Sequence, residues 1–214
     1  MNLFDWAWVD HHSGLIMEQL VEHVELTVLA LMFGFALAFP LALAALRWPR
    51  LYHPSLFITG VLFTIPSLAL FILLMPLTGL SRTTSLIGLT IYTLLILFRN
   101  IIEGLRGVPR DVIEAARAMG YPRAHQLLAV ELPIALPVIM AGVRIAAVTT
   151  IGLVTITALI GQGGLGRLFI TGFTLHIATP LVVGFILSIA LAVVTDLCLV
   201  ALLWLLSPWQ RVRA

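Results

Sequence analysis

Long stretches without a charged residue dominate this sequence, and they restrict the folds that the chain can adopt. Most reach or approach the ~20 residues that an α-helix needs to cross a bilayer core of ~30 Å. The stretches are residues 26–46, 51–81, 83–98, 168–195 and, interrupted only by Arg144, 132–166. Charged residues make up 10% of the chain, against about 25% in a typical soluble domain. The sequence therefore predicts an all-α integral membrane protein.

Within these stretches we predict five transmembrane helices, at about residues 24–46, 54–77, 84–103, 134–160 and 180–206. They form one transmembrane domain over 24–206, which contains a polar loop at 104–133 and is followed by a tail at 207–214. Residues 1–23 are too polar to span a membrane. Two interpretations of this segment remain open: it lies on the outer membrane interface, or it is a partly ordered arm.

The basic residues, all twelve of which are arginines, predict the orientation. In a five-helix alternation, Arg82 and Arg167 fall on one side and eight arginines fall on the other. The positive-inside rule assigns the arginine-rich side to the cytosol. We therefore expect the loop at 104–133 and the C-terminus inside, the N-terminus outside, and lipid rather than nucleic acid as a partner. The eight are Arg47, Arg50, Arg106, Arg110, Arg117, Arg123, Arg211 and Arg213.

The loop at 104–133 contains a short amphipathic segment. Its apolar positions recur at the spacing of one helix face, whereas Arg110, Glu114 and Arg117 fall on the other side. The apolar positions are Val112, Ala115, Ala116 and Met119. Pro109 suits the first turn of such a helix, and Gly120 suits its C-terminal end. The pattern predicts a short cytosolic helix that docks onto a partner.

A glycine-rich segment follows the fourth predicted helix and includes Gly161, Gly163, Gly164 and Gly166. It lacks the lysine and the serine or threonine that a phosphate-binding loop requires, and it is expected outside, away from ATP. Glycines at this place favour a tight re-entrant turn at the external mouth of the protein, where non-helical backbone is buried or lines water. We therefore predict that the segment is an external gate loop. An ordinary connecting loop is the alternative interpretation.

Two charges lie deep within predicted helices, where ionisable side chains usually pair or face an aqueous path. Arg144 and Asp196 each lie roughly 15 Å from the cytosolic end of their helix, at ~1.5 Å per residue. A salt bridge between them is therefore predicted; in the alternative, each reaches the interface or pairs elsewhere. Threonines crowd the outer half of the fourth helix and either line a conduit or hold helices together. They are Thr149, Thr150, Thr155 and Thr157.

Other chemistry has little support in the sequence. The six histidines show no i, i+4 pairing of the kind that suits a haem or a metal centre. The single Cys198 excludes a disulfide framework within the chain. Ser67 has no histidine base at a matching depth, which argues against an intramembrane hydrolase. We expect no metal site, no bound cofactor and no enzymatic activity in this chain.

The polar segment also resembles a known signature. Glu114, Ala115 and Ala116, followed at fixed spacing by Gly120, Val130 and the pair Leu132 and Pro133, resemble the cytoplasmic "EAA" motif of permease subunits of ABC importers. Four further stretches resemble the osmoprotectant branch of that family, whose members carry glycine betaine, carnitine or choline. They are residues 64–70, 99–100, 131–144 and 158–166, and the similarity covers roughly residues 20–206.

The resemblance implies a type I ABC importer permease in the bacterial plasma membrane. Two permease subunits, identical or paralogous, would form the pathway, and a separate extracytoplasmic protein would bind the substrate. A pair of cytosolic subunits would hold ATP and Mg²⁺ and would each accept the helix at 109–120. The coupling residues would be Val112, Glu114, Ala115, Ala116, Met119 and Gly120. A permease for methionine or another amino acid is the alternative within the same class.

Overall fold

A computed structural model describes residues 4–209, and all of the regular structure in that range is helical. Residues 1–3 and 210–214, including the tail arginines Arg211 and Arg213, lie outside the described residues. The α-helices are α1 (Trp6–His11), α2 (Ser13–Arg47), α3 (Tyr52–Thr64), α4 (Ser67–Thr78), α5 (Arg82–Arg106), α6 (Arg110–Ala118), α7 (Arg123–Gln126), α8 (Leu132–Thr157), α9 (Gly166–Leu175) and α10 (Ala178–Leu206). Short 3₁₀ turns lie at Pro49–Leu51 and Ala158–Ile160, and a π-helical turn lies at Leu127–Glu131.

Four continuous helical segments are long and apolar enough to cross a membrane, and a bent pair brings the number to five if it counts as one span. The four are Ser13–Arg47, Arg82–Arg106, Arg123–Ile160 and Ala178–Leu206. The bent pair is Pro49–Thr64 with Ser67–Thr78. The prediction of an all-α membrane protein with about five spanning segments is confirmed.

The predicted continuous helix at 54–77 is wrong, because the chain bends by 100° between α3 and α4. Pro66 disfavours helical backbone at the residue before it, and Ile65 is extended, with ψ of 128°. The break leaves a backbone carbonyl without its helical partner, which is costly in a membrane. The hydroxyl of Tyr92 on α5 donates to the carbonyl of Ile65. A side chain of another helix therefore supplies the hydrogen bond that the Ile65 carbonyl loses at the break.

The helix that contains the first predicted span begins at Ser13, so residues 13–23 of the predicted N-terminal arm are helical and continuous with that span. The predicted domain boundary at residue 23 stays a prediction. The short helix α1 precedes α2 and packs at the end of the bundle where α9 and α10 meet. The backbone N–H of Asp5 donates to Oγ1 of Thr179 at 3.0 Å, and Trp8 packs with the buried residues Leu165 and Leu168. Placement of this region on the membrane surface stays a prediction.

The centre of the bundle is formed by α2, α5 and α8, which pack at close range. Glycines make this approach possible, since small residues let membrane helices come together. A Cβ added to Gly34 of α2 would lie 1.8 Å from Oγ1 of Thr93 of α5. Gly88 of α5 allows the same close approach of α4, since an added Cβ would lie 2.4 Å from the ring of Phe71. A Cβ added to Gly142 of α8 would lie 2.3 Å from Cβ of Asn100 of α5. These glycines let α2, α4 and α8 pack closely against α5.

The stretch at 168–195 contains a helix that the sequence analysis did not predict. The ten-residue α9 ends at His176, which adopts a left-handed conformation with φ of 57°, and Ile177 is extended. The chain then reverses into α10. The glycine-rich segment therefore does not lead directly into the last spanning helix. It connects α8, with its terminal 3₁₀ turn, to α9.

Candidate functional site

The amphipathic segment forms α6, with bounds close to those predicted. Pro109 occupies the position before the first helical residue, and Gly120 has a left-handed φ of 80°. The N–H of Tyr121 donates to the carbonyl of Ala116 at 3.2 Å, and the N–H of Gly120 donates to that of Arg117 at 2.9 Å. These two bonds form a Schellman motif, which ends a helix at a residue with positive φ. Gly120 thus defines the end of α6.

The predicted apolar stripe of α6 is divided between two surroundings. Ala116 is 1% exposed, and Ile113, which the sequence analysis did not single out, packs against the main core cluster. Met119 is 65% exposed, and Ala115 is exposed beside it. One part of the stripe therefore anchors α6 to its own subunit, and the other part is free to meet a partner. Of the remaining coupling residues, Val112 is half-buried and Glu114 is exposed.

A single helical segment joins the neighbourhood of α6 to the glycine-rich loop. It runs from Arg123 through the π-helical turn at Leu127–Glu131 and α8 to Ile160. The side-chain amide of Gln126 is buried and donates to Oε1 of Glu131 at 2.6 Å, bridging the π-helical turn. The two predicted functional elements therefore lie near opposite ends of one helical segment.

The glycine-rich loop is tightly folded against the bundle. Gly161 and Gly164 have left-handed φ values of 78° and 83°, which only glycine adopts at low cost. Gly166 has no space for a side chain, because an added Cβ would lie 2.0 Å from the carbonyl oxygen of Thr155. The loop turns back over the end of α8 and continues directly into α9. This geometry agrees with a re-entrant turn; its position outside the cell stays a prediction.

Two residues of α2 that the sequence analysis did not select, Glu22 and His23, contact this loop. The carboxylate of Glu22 accepts a hydrogen bond from the N–H of Gly163, and Nδ1 of His23 accepts one from the N–H of Leu165. Residues in these pairs are separated by more than 140 positions. No local pattern in the sequence marks such a contact, although a histidine at the start of an apolar run is a weak signal.

The structure brings Arg144 and Asp196 together. Nε of Arg144 donates to Oδ1 of Asp196 at 2.7 Å, and Nη2 donates to Oδ2 at 2.8 Å. Two parallel bonds of this kind fix the orientation of both groups. The side chains are 36% and 32% exposed at the surface of the subunit. The pair joins α8 to α10 beside an apolar groove of about 520 Å³ that includes Val143 and Thr195.

The four threonines of α8 have two different surroundings. Thr150 and Thr157 are buried and donate to the carbonyls of Ala146 and Val154 within the same helix. Their burial within the subunit favours the alternative interpretation, in which these threonines hold helices together. Thr149 and Thr155 are half-buried. Of the four, these two have the more accessible side chains, and a role in lining a pathway stays a prediction.

Within residues 4–209, no three histidine, cysteine, aspartate or glutamate side chains lie close enough together to hold a metal ion. Three structural features of the described residues remain as candidates for a functional role. They are an exposed helix at one end of a bundle, a tight loop at the other end and an ion pair between two spanning helices. A bundle of apolar spans with this arrangement agrees with the class that the sequence predicts, a membrane transport component.

The chain belongs to the family described as the binding-protein-dependent transport system inner membrane component, which matches residues 28–210. It is a membrane-embedded permease of the ABC importer class, located in the bacterial inner membrane. The resemblance seen in the EAA motif is therefore confirmed at the level of the family.

Curated relatives cover nearly the whole chain. It is 32% identical to the choline transport system permease protein OpuBB of Bacillus subtilis (strain 168), over 94% of this chain and 94% of that protein. It is 34% identical to the carnitine transport permease protein OpuCB of Listeria monocytogenes, over 90% of this chain and 88% of that protein. It is also 34% identical to the osmoprotectant import permease protein OsmW of Salmonella typhimurium, over 92% and 94%.

Solved structures confirm the type I ABC importer permease fold. A chain of the MetNI methionine ABC transporter in an inward-facing conformation matches with a TM-score of 0.80 and 21% identity, over 91% of this chain and 97% of that one. A chain of an amino acid ABC transporter crystallised with histidines matches with a TM-score of 0.73 and 21% identity, over 95% and 98%. At this identity the likeness concerns the fold.

Proposed function

We propose that this chain is the permease subunit of an ATP-driven importer for osmoprotectants such as glycine betaine, carnitine or choline. The observation that carries the proposal is the identity of 32–34%, over nine-tenths or more of the chain, to permeases named for choline, carnitine or osmoprotectants. The solved amino-acid importers share the fold at 21% identity. A methionine or other amino-acid substrate is therefore the less supported alternative.

The complete transporter contains further subunits in this proposal. Two permease subunits, identical or paralogous, surround the pathway, and an extracytoplasmic protein delivers the substrate. Two cytosolic subunits bind ATP and Mg²⁺ and carry out hydrolysis. The family description, which names a dependence on a binding protein, supports this assembly. The absence of lysine from the sequence also supports a separate ATPase, because a phosphate-binding loop needs one.

Coupling to the ATPase runs through α6. Ala115 and Met119 offer an exposed apolar surface, and Glu114 offers a charge beside it. An amphipathic helix of this kind enters a groove of its partner with its apolar face. The buried Ala116 keeps α6 attached to the permease, so that a movement of the ATPase subunits displaces the spanning helices as well. The bundle then alternates between inward and outward openings by rigid-body motion.

An uptake assay tests the substrate assignment. The chain is expressed together with the ATPase, the binding protein and any second permease of its source in cells without their own osmoprotectant transporters, and uptake of labelled glycine betaine, carnitine, choline and methionine is compared. We expect uptake of at least one quaternary ammonium compound and none of methionine. Uptake of methionine alone would replace the proposal by the amino-acid alternative.

A pair of variants tests the docking surface. Met119→Glu places a charge where an apolar contact is expected, and burying an unpaired charge is costly. The matched control, Met119→Leu, keeps an apolar side chain of similar size. We expect loss of both uptake and ATPase co-purification for Met119→Glu and near-normal values for Met119→Leu. Equal uptake and equal co-purification in the two variants would show that Met119 is not part of the interface.

A further inference from the structure

The glycine-rich loop is attached to α2 by side-chain hydrogen bonds that the family assignment does not explain. The N–H of Gly163 donates to Oε1 of Glu22 at 3.1 Å. The N–H of Leu165 donates to Nδ1 of His23 at 3.2 Å. His23 and Leu165 are both 0% exposed. Because a buried polar group without a partner is costly, removal of the histidine acceptor leaves the Leu165 amide unsatisfied.

His23 also contacts a third element. Its Nε2 lies 3.0 Å from the backbone carbonyl oxygen of Ile151 on α8. A carbonyl oxygen only accepts hydrogen bonds and a backbone N–H only donates them. The ring therefore carries its proton on Nε2 and accepts at Nδ1, and each nitrogen serves a different neighbour. One side chain joins α2, the core of α8 and the loop.

The lack of a side chain at position 163 fits this arrangement. Unlike Gly161 and Gly164, Gly163 is not among the glycines with positive φ. A Cβ at this position would instead lie 1.7 Å from Oε2 of Glu22. Glycine at 163 is thus explained by the approach of the Glu22 carboxylate rather than by backbone conformation.

The end of α2 that holds the loop is itself fixed to the bundle. Oε1 of Glu25, one turn further along α2, lies 2.6 Å from Nη2 of Arg82 at the start of α5. Both side chains are about half exposed, at 50% and 43%, so the ion pair orients this end more than it stabilises it. A loop bonded to Glu22 and His23 is consequently held against the whole bundle.

We propose that Glu22 and His23 form a latch that holds the glycine-rich loop closed in this conformation, and that the loop opens during transport by breaking these two bonds. Both are positioning residues, because they act on the loop and not on the substrate. The inference rests on the proposed transport function and on the prediction that this segment is an external gate loop. It goes further by naming the side chains that keep the gate shut.

The two nitrogens of His23 can be tested separately. In His23→Asn the amide oxygen occupies the place of Nδ1, accepts from Leu165 and does not reach Ile151. In His23→Gln the amide nitrogen occupies the place of Nε2, donates to Ile151 and leaves the Leu165 N–H unpaired. Glu22→Ala removes the other acceptor, whereas Glu22→Gln retains a carbonyl oxygen that accepts from Gly163. Each disrupting variant has a conservative partner.

The first measurement is hydrogen–deuterium exchange of the peptide covering residues 161–166 in the purified complex of permease and ATPase subunits. Loss of one net hydrogen bond speeds exchange roughly five- to tenfold. We expect this increase in His23→Gln and Glu22→Ala and values near wild type in His23→Asn and Glu22→Gln. Glu22 is half-buried, so Glu22→Ala is expected to assemble even if a variant of His23 does not.

The second measurement is ATP hydrolysis without the substrate-binding protein. A permease whose latch is broken is expected to release the ATPase from control, so that basal hydrolysis rises severalfold in His23→Gln and Glu22→Ala alone. Faster exchange in His23→Asn but not in His23→Gln would show that His23 only ties α2 to α8, and would overturn the proposal. Faster exchange with unchanged hydrolysis and uptake would overturn the gating role. Absence of uptake in the wild-type system would instead count against the proposed function, since exchange reports on the latch independently.

Discussion

Arg144 and Asp196 form an ion pair across two spanning helices at matching depth, 52 positions apart in the chain. Arg144 lies about 18 Å from the start of α8, and Asp196 lies about 15 Å from the end of α10, at ~1.5 Å per residue. Both ends belong to the side that the arginine distribution assigns to the cytosol. The pair therefore lies near the middle of a ~30 Å hydrocarbon core.

Removal of one member of this pair should harm the protein more than removal of both. Arg144→Leu or Asp196→Leu leaves a single charge at a depth where ionisable groups are costly. We expect a severalfold loss of folded yield for each single variant and recovery of yield in the double variant. Fluorescence-detected gel filtration of the detergent-solubilised protein measures this, and a double-mutant cycle gives the coupling. A double variant as poor as the sum of the singles would show that the pair contributes no net interaction.

The orientation can be tested with reporter fusions. An enzyme that is active only in the periplasm is fused after Arg117 in α6 or after Gly164 in the glycine-rich loop. Because arginine-rich segments stay in the cytosol, the first fusion should be silent and the second active. The reverse pattern would place α6 outside and exclude its docking to a cytosolic ATPase.

The end of α6 should depend on the conformational freedom of Gly120. Its φ is 80°, and a Cβ at this position would meet no atom within 4 Å. A substitution therefore adds backbone strain without a steric clash, about 1–2 kcal/mol for most residues in the left-handed region. Gly120→Val should weaken ATPase co-purification and uptake, while Gly120→Asn, which tolerates this region, should retain more of both. Equal retention by the two variants would show that the Schellman turn is dispensable for docking.

Two glycines should respond in opposite ways to the addition of one methyl group. Gly88→Ala places a Cβ 2.4 Å from the ring of Phe71, whereas the same change at Gly152 meets nothing within 4 Å. Overpacking a close helix contact costs typically ~1–3 kcal/mol, and alanine favours a helix over glycine. The thermal unfolding midpoint in detergent should fall for Gly88→Ala and stay level or rise for Gly152→Ala. A fall for both would indicate that Gly152 is covered in the assembled transporter.

Several features could be derived from the sequence because they depend on local patterns. Charge-free length predicts a spanning helix wherever it occurs, and Pro109 and Gly120 mark the ends of α6 through backbone preferences alone. The depths of Arg144 and Asp196 follow from counting residues along two helices. The EAA motif predicted the family, since it combines residue type with spacing.

Other features depend on what packs against each segment. Hydropathy does not distinguish a straight helix from the bent pair α3 and α4, and the hydroxyl that satisfies the Ile65 carbonyl at the bend comes from Tyr92 on another helix. The periodicity of α6 defines an apolar face. It does not show which part of that face packs against the same subunit, so the burial of Ala116 was not predictable.

The contacts of Glu22 and His23 with the glycine-rich loop also depend on tertiary packing, between residues that are far apart in the chain. Glu22 and His23 are ordinary residues in an amphipathic stretch until the fold places them beside a loop more than 140 positions away. The sequence by itself determined which segments span the membrane, since burial of apolar helices in lipid is a local property. The tertiary structure decided which side chains meet, because close packing of α2, α5 and α8 sets those distances and no periodicity along the chain encodes them.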